Sequence, residues 1–264
     1  MTEKIKEKLY HLLGLHRYLL LLQRTFKLEY ALGILKFDEK YRWHYFVRNL
    51  IHPEDTIIDV GANLGYFSYI FSKIIKNKGE LYCVEPVAPY RKLLRRLIPK
   101  QPNIVIYSYA LGESNGGKVK LGMPAFLRHL RYLRHGTVTI LNEDQIAGDQ
   151  LVFESEIRRG SELFANLKKI DYIKCDIEGY ETVVFPEMKP VFEKYHPLVQ
   201  LETWGDKYTT MRRFFDSIGY RAFTLKNNHL HPAEQFSDEE VAASDVLFVP
   251  QTRLHNIAHL VHKS

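Results

Sequence analysis

The sequence predicts an α/β protein built on a mostly parallel sheet with helices on both faces. Between Thr56 and Val249, short apolar runs rich in β-branched residues alternate with stretches of helical spacing. The first run, with Ile57, Ile58 and Val60, passes through Gly61 and Gly65 into a helix at Tyr66, so the order is strand, glycine turn, helix. A second run, Glu80 to Val84, ends in Glu85, 85 − 59 = 26 residues beyond Asp59. An acid near that place grips ribose hydroxyls in nucleotide-binding folds.

The chain of 264 residues is long enough to bury a full core and fits one α/β unit with appendages. We expect an N-terminal helical extension over 1–50, the α/β domain over 51–250 and a tail over 251–264. Hydrophobic content of 45% and charged content of 26% exclude a disordered chain. The net charge, 37 − 31 = +6, permits an anionic partner without requiring one. Cys83 and Cys175 fall in strands expected to flank the first strand, too far apart for a disulfide.

Residues 3 to about 36 read as helix, with Ile5, Leu9, Leu12, Leu13 and Tyr18 to Leu22 as apolar stripes between basic positions. Arg17, Arg24 and Lys27 interrupt it, which argues against both a signal peptide and a spanning helix; the expected location is cytoplasmic. This helix packs on the core or on a second subunit, or lies at a membrane surface as a peripheral contact. Phe46 to Ile51 finishes another helix, and His52-Pro53-Glu54-Asp55 turns into the first strand.

After the second strand, a helix runs from Pro86 and Pro89 to Leu97, and Asn103 to Tyr109 is the third strand, closed by Ala110-Leu111-Gly112. From Glu113 to Asn166 the rhythm breaks. Ser114-Asn115-Gly116-Gly117 is a turn between short strands, and 126–135 is a basic insertion in which Arg128, His129, Arg131, Arg134 and His135 interleave with Leu and Tyr. Order returns with a strand from Ile170 to Cys175 and a helix near Tyr180. Pro197 to Glu202 is a strand, Lys207 to Ile218 a helix, Tyr220 to Leu225 a strand, and Asp245 to Val249 the last. His255, His259 and His262 share one helical face, where metal binding competes with the simpler reading of an exposed tail.

The glycine turn lacks both the three-glycine dinucleotide pattern and the Gly-Lys-Ser/Thr of a P-loop. With Asp59, Gly61, Gly65 and Glu85 it resembles motifs I and II of the class I methyltransferases. The string Lys174-x-Asp176-x-Glu178-Gly179-x-Glu181 sharpens the likeness. Together with Asn63, Ser68, Ala110-Leu111-Gly112 and Glu202, it resembles the FkbM-type family of S-adenosylmethionine-dependent O-methyltransferases. The resemblance runs from about Asp55 to Val249. It implies a Rossmann-like sheet of seven strands, the last antiparallel, and methyl transfer to a hydroxyl of a carbohydrate or glycosylated acceptor. It also implies a cofactor site of Asp59, Gly61, Asn63, Gly65, Ser68, Glu85 and Ala110, with Glu85 on the ribose and Asn63 at the amino-acid end.

Methyl transfer to a neutral hydroxyl needs close approach and a group that takes the proton. Lys174, Asp176 and Glu178 at alternate strand positions are expected to point one way, as three catalytic side chains. Asp176 stands as the base. Lys174 keeps it ionised or binds the acceptor oxygen, unless it only fixes the strand end, and Glu178 orients either one or, like Glu181, caps the next helix. Glu202, Trp204 and Arg131 are the candidate acceptor contacts, Trp204 also suiting core packing. Asp176 and Glu178 permit a divalent cation without indicating one, so no metal ligand is assigned. Two other readings stay open: an RNA ribose methyltransferase, although no nucleic acid partner is expected, and a non-catalytic S-adenosylmethionine-binding module. Small-molecule or glycan acceptors and a homo-oligomer fit the leading one.

Overall fold

The structure is a computed structural model that describes residues 3–124, 139–141, 150–242 and 244–262. The chain opens on α1 (Glu3–Ala31), kinked at Gly14, and α2 (Arg42–Phe46). A first parallel half follows as β1 (Thr56–Val60), α3 (Tyr66–Ile75), β2 (Glu80–Val84), α4 (Ala88–Leu97) and β3 (Ile104–Tyr107). The interval before the second half holds β4 (Ala110–Leu111), β5 (Lys118–Pro124), β6 (Thr139–Leu141), β7 (Gln150–Arg158) and α5 (Gly160–Leu163). The second half comprises β8 (Tyr172–Cys175), α6 (Glu181–Glu187), α7 (Lys189–Tyr195), β9 (Leu198–Leu201) and α8 (Asp206–Ser217). Then come β10 (Tyr220–Lys226), β11 (His229–Pro232), α9 (Asp238–Val241), β12 (Val246–Pro250) and α10 (Leu254–Ile257).

The main sheet has the order β11-β10-β12-β9-β8-β1-β2-β3. Strand β1 lies between β2 and β8, parallel to both, and all five of its residues are buried. Strand β12 runs antiparallel to β9 and β10, as expected of the last strand. There are eight strands where seven are expected. The extra one, β11, is the return arm of a hairpin whose two-residue turn, Asn227-Asn228, has φ of 50° and 59°. Asparagine tolerates that left-handed geometry, so the turn and its strand have a local cause.

Side-chain alternation divides the core between the two faces of the sheet. Ile58, Val60, Ile173 and Cys175 join α6, α7 and α8 on one side. Ile57, Tyr172, Leu198 and Leu247 join α3 and the N-terminal residues Phe26, Tyr30, Trp43 and Phe46 on the other. The N-terminal segment is therefore part of the core, and Phe26 stacks on Tyr66 at 4.0 Å. Cys83 and Cys175 are buried and free on the strands either side of β1, as expected. The tail is anchored by Ile257, which is buried, and by a bridge from Val261 to Leu230, while most of its residues are exposed as expected. His255, His259 and His262 are all exposed, and His262 also stacks on His231.

The interval after β3 builds a second sheet in the order β4-β7-β5-β6. Its long strand, β7, has no counterpart in the sequence reading. The basic segment 126–135, with Arg131, lies outside the described residues. No described helix is long and apolar enough to cross a membrane.

Candidate active site

The loop from β1 to α3 shapes the site, and close packing accounts for its glycines. A Cβ on Gly61, whose φ is 73°, would sit 1.9 Å from the backbone oxygen of Asp176. One on Gly65, at φ 88°, would sit 2.6 Å from Leu94 Cδ1. Gly61 thus lets the β8–α6 loop close over β1, and Gly65 lets α4 pack on the turn. Gly61→Ala is expected to cost about 3 kcal/mol of unfolding free energy through strain and overlap, which urea denaturation reads out.

Hydrogen bonds fix the acids around that turn. Ser68 Oγ donates to Asp59 Oδ2 at 2.5 Å, while Asp59 Oδ1 is buried without a partner. Glu85 accepts from the Asn63 and Val87 backbone N–H groups, each at 2.7 Å. Burial pushes the Glu85 carboxyl up to about 7, against those bonds and the Arg91 charge. From α1, Gln23 Nε2 donates to Leu64 O at 2.6 Å and ties the extension to the turn.

Two cavities meet at this loop. The first is a narrow, partly open slot with Glu85, Asn63, Asp176 and Glu178 as polar edges and Val87, Ala110, Leu111 and Leu121 among its apolar walls. An acid beside an apolar slot suits a nucleoside, with the ribose at Glu85 and the base against the aliphatic walls. The second, about 800 Å³, is lined by Lys40, Trp43 and His44 from the N-terminal segment, with Asp59, Phe67, Lys174, Asp176, Glu202 and Asp245. Gly61, Asn63 and Asp176 border both. Four buried polar atoms in the second cavity's lining lack partners: Trp43 Nε1, His44 Nδ1, Asp59 Oδ1 and Asn63 Oδ1. Such atoms are costly unless a ligand completes them.

One buried cation organises the second cavity. Lys174 Nζ pairs with Asp176 Oδ2 at 3.0 Å and lies over the Phe67 ring. Burial alone would lower the ammonium's pKa, but Asp176, Asp59, Glu202 and Asp245 outweigh it and hold the charge. The converse strain falls on the acids. Burial, with the Asp176 and Asp245 charges, pushes Glu202 up to about 9. Burial and Lys174 push His44 down to about 3, so its imidazole is neutral. Gln200 Nε2 donates to Asp245, and Tyr172 OH donates to Gln200 at 2.5 Å.

The sequence-predicted residues divide between the two cavities. Asp59, Gly61, Asn63, Glu85 and Ala110 line one or both, and Ser68 and Gly65 support the turn from behind. Lys174, Asp176 and Glu202 come together, but Glu178 does not join them. Strand β8 ends at Cys175, and Glu178, at φ 56°, is turned toward the first cavity, so the expected alternation of Lys174, Asp176 and Glu178 fails. Glu181 accepts from the Ile177 N–H at 3.0 Å and braces the loop. Trp204, 39% exposed under the Lys207 ammonium, lines neither cavity.

Asp245, Trp43 and His44 are additions from the structure. Asp245 had a signal: it precedes a strand running opposite to the others, so its start lies on the edge where they end. Trp43 and His44 had none, because no local pattern says where a distant helical segment docks. Among the described residues, no group of three or more His, Cys, Asp or Glu is arranged to hold a metal ion.

The sequence profile described as the methyltransferase FkbM domain matches residues 59–222, more than half of the chain. Among solved structures, a methyltransferase FkbM from Methylobacillus flagellatus is 14% identical with a TM-score of 0.48, covering 75% of this chain and 44% of that one. The precorrin-6y C5,15-methyltransferase of Geobacter metallireducens is 11% identical with a TM-score of 0.44, covering 81% and 87%. An rRNA methylase from Streptococcus thermophilus is 8% identical with a TM-score of 0.43, covering 80% and 95%. The chain thus spans under half the length of the Methylobacillus protein. No curated protein matches it.

Proposed function

Because the chain belongs to the FkbM family of methyltransferases, we infer that it is an S-adenosylmethionine-dependent O-methyltransferase acting on a hydroxyl of a carbohydrate or glycolipid. The observation that carries this reading is Asp176, which borders both cavities and is held by Lys174. S-adenosylmethionine supplies an electrophilic methyl group. Glu85 would hold its ribose hydroxyls, and Asp59 and Asn63, each with an unpartnered oxygen, would meet its amino-acid end. Asp176 would take the acceptor hydroxyl's proton at its carboxylate, the acceptor oxygen gaining the methyl group as the cofactor's methyl–sulfur bond breaks and the sulfur leaves as a neutral thioether. Lys174, 3.0 Å away, orients that carboxylate, and burial together with the Asp176 and Asp245 charges favours the protonated form of Glu202, which spares it an adjacent negative charge.

Charge favours a neutral acceptor. With Glu202 favouring its protonated form, the lining sets Asp59, Asp176 and Asp245 against Lys174 and Lys40, so a phosphate backbone entering there finds no net positive charge to hold it. Aromatic walls with both an unpartnered donor, Trp43 Nε1, and unpartnered acceptors, Asp59 Oδ1 and Asn63 Oδ1, suit a polyol. The deciding experiment is transfer of labelled methyl groups to glycan, lipid and RNA fractions. Label in a glycan methyl ether is expected; label confined to RNA would overturn the reading.

Glu85→Ala is expected to weaken S-adenosylhomocysteine binding roughly hundredfold by calorimetry, since two hydrogen bonds to a charged group are lost. In the unaltered protein the same affinity should rise with pH up to about 7 and then level off, because ribose hydroxyls donate to the ionised carboxylate. Unchanged affinity in the variant removes Glu85 from the ribose site.

A further inference from the structure

We propose that the end of α1 and the turn after it form a docking face for an anionic lipid membrane. Among the described residues, seven large apolar side chains are exposed, and five of them, Leu12, Leu28, Leu32, Ile34 and Phe37, come from this one N-terminal segment. Phe37 is 93% exposed, and Leu28, Leu32 and Ile34 are each more than half exposed. Leaving them in water is costly unless another apolar phase receives them.

Beside this ridge opens a groove of about 1250 Å³ lined by Leu32, Lys36, Arg48 and Lys73 with Tyr30, Tyr45 and Tyr69. Each cation is held over a ring: Lys36 over Tyr45 at 5.6 Å, Arg48 over Tyr30 at 5.4 Å, and Lys73 over Tyr69 at 5.7 Å, joined there by Lys27 at 5.5 Å. None of these four cations has a carboxylate partner among the described residues. Of the acids in the same segment, Glu29 is half-buried, Glu39 is exposed, and Asp38 turns back to accept from the Lys40 N–H at 3.0 Å.

An apolar ridge beside unpaired cations and phenols matches an interface of acyl chains and anionic headgroups. A second copy is the poorer occupant, because a twofold contact would set the same four cations against each other. The segment continues directly into Lys40, Trp43 and His44, which line the second cavity. Docking would therefore bring that cavity near the lipid surface, where a lipid-linked glycan presents its hydroxyls. The choice of acceptor rests on the methyltransferase reading above; the docking does not.

The test is co-sedimentation of the full chain with phosphatidylglycerol/phosphatidylcholine vesicles and with phosphatidylcholine alone. Binding to the anionic vesicles, reversed by salt, is expected. Ile34→Ser/Phe37→Ser and, separately, Lys36→Glu/Lys73→Glu should each reduce it roughly tenfold while leaving S-adenosylhomocysteine binding unchanged. The proposal fails if the unaltered protein stays in the supernatant or if both variants pellet as it does. It fails equally if sedimentation velocity shows a dimer, without vesicle binding, that Phe37→Ser dissociates. Docking without glycan methylation would sink only the acceptor assignment, and methylation of soluble glycan without docking only the membrane face.

Discussion

Asp176→Asn is expected to lower kcat for methyl transfer by about 10²–10⁴ while S-adenosylhomocysteine still binds. The amide keeps the size of the side chain but cannot take a proton from an acceptor hydroxyl. Its neighbours are poor substitutes. Burial, the largest influence on Glu202, still disfavours its ionised form once the Asp176 charge is gone, and His44, at about 3, is too weak a base. Calorimetry with S-adenosylhomocysteine separates lost chemistry from lost structure, because Asp176 also borders the first cavity. A variant that binds and turns over at the normal rate would exclude Asp176 as the proton acceptor.

Lys174→Met is expected to destabilise the fold by roughly 3–5 kcal/mol at neutral pH, the cost of leaving buried carboxylates without their cation. Methionine fills a similar space, so the loss is electrostatic rather than a cavity. The pH dependence gives the sign. Without the ammonium, the folded-state pKa values of Asp59 and Asp245, already raised by burial, rise further. The folded state then binds protons that the unfolded chain has released, so the variant loses stability as pH rises through that window and recovers it as pH falls toward 4. Urea denaturation from pH 4 to pH 8 measures this; a pH-independent deficit would mean Lys174 acts through packing instead.

Much of the fold was legible because its signals are local. The apolar runs placed β1, β2, β8, β9 and the antiparallel β12 within a residue or two, since a strand in the middle of a sheet covered on both sides is apolar on both faces. The hairpin that adds β11 was also written locally, in Asn227-Asn228, though its strand is short and half polar. Strand β7 was missed although its signal is local: Leu151, Phe153 and Ile157 alternate with Glu154, Glu156 and Arg158 between Gly148 and Gly160, and it pairs with both β4 and β5.

The sequence by itself determined the strand–turn–helix cradle, the acid after β2 and the Lys174–Asp176 pair. Each depends on spacing along one short segment, where backbone geometry leaves little choice. The tertiary structure alone decided that Asp245 and His44 stand beside that pair, that Glu178 turns away from it, and that Gly61 is needed for the Asp176 carbonyl. Those facts depend on which distant segments touch, and burial energy, indifferent to sequence separation, sets them only once the sheet has closed.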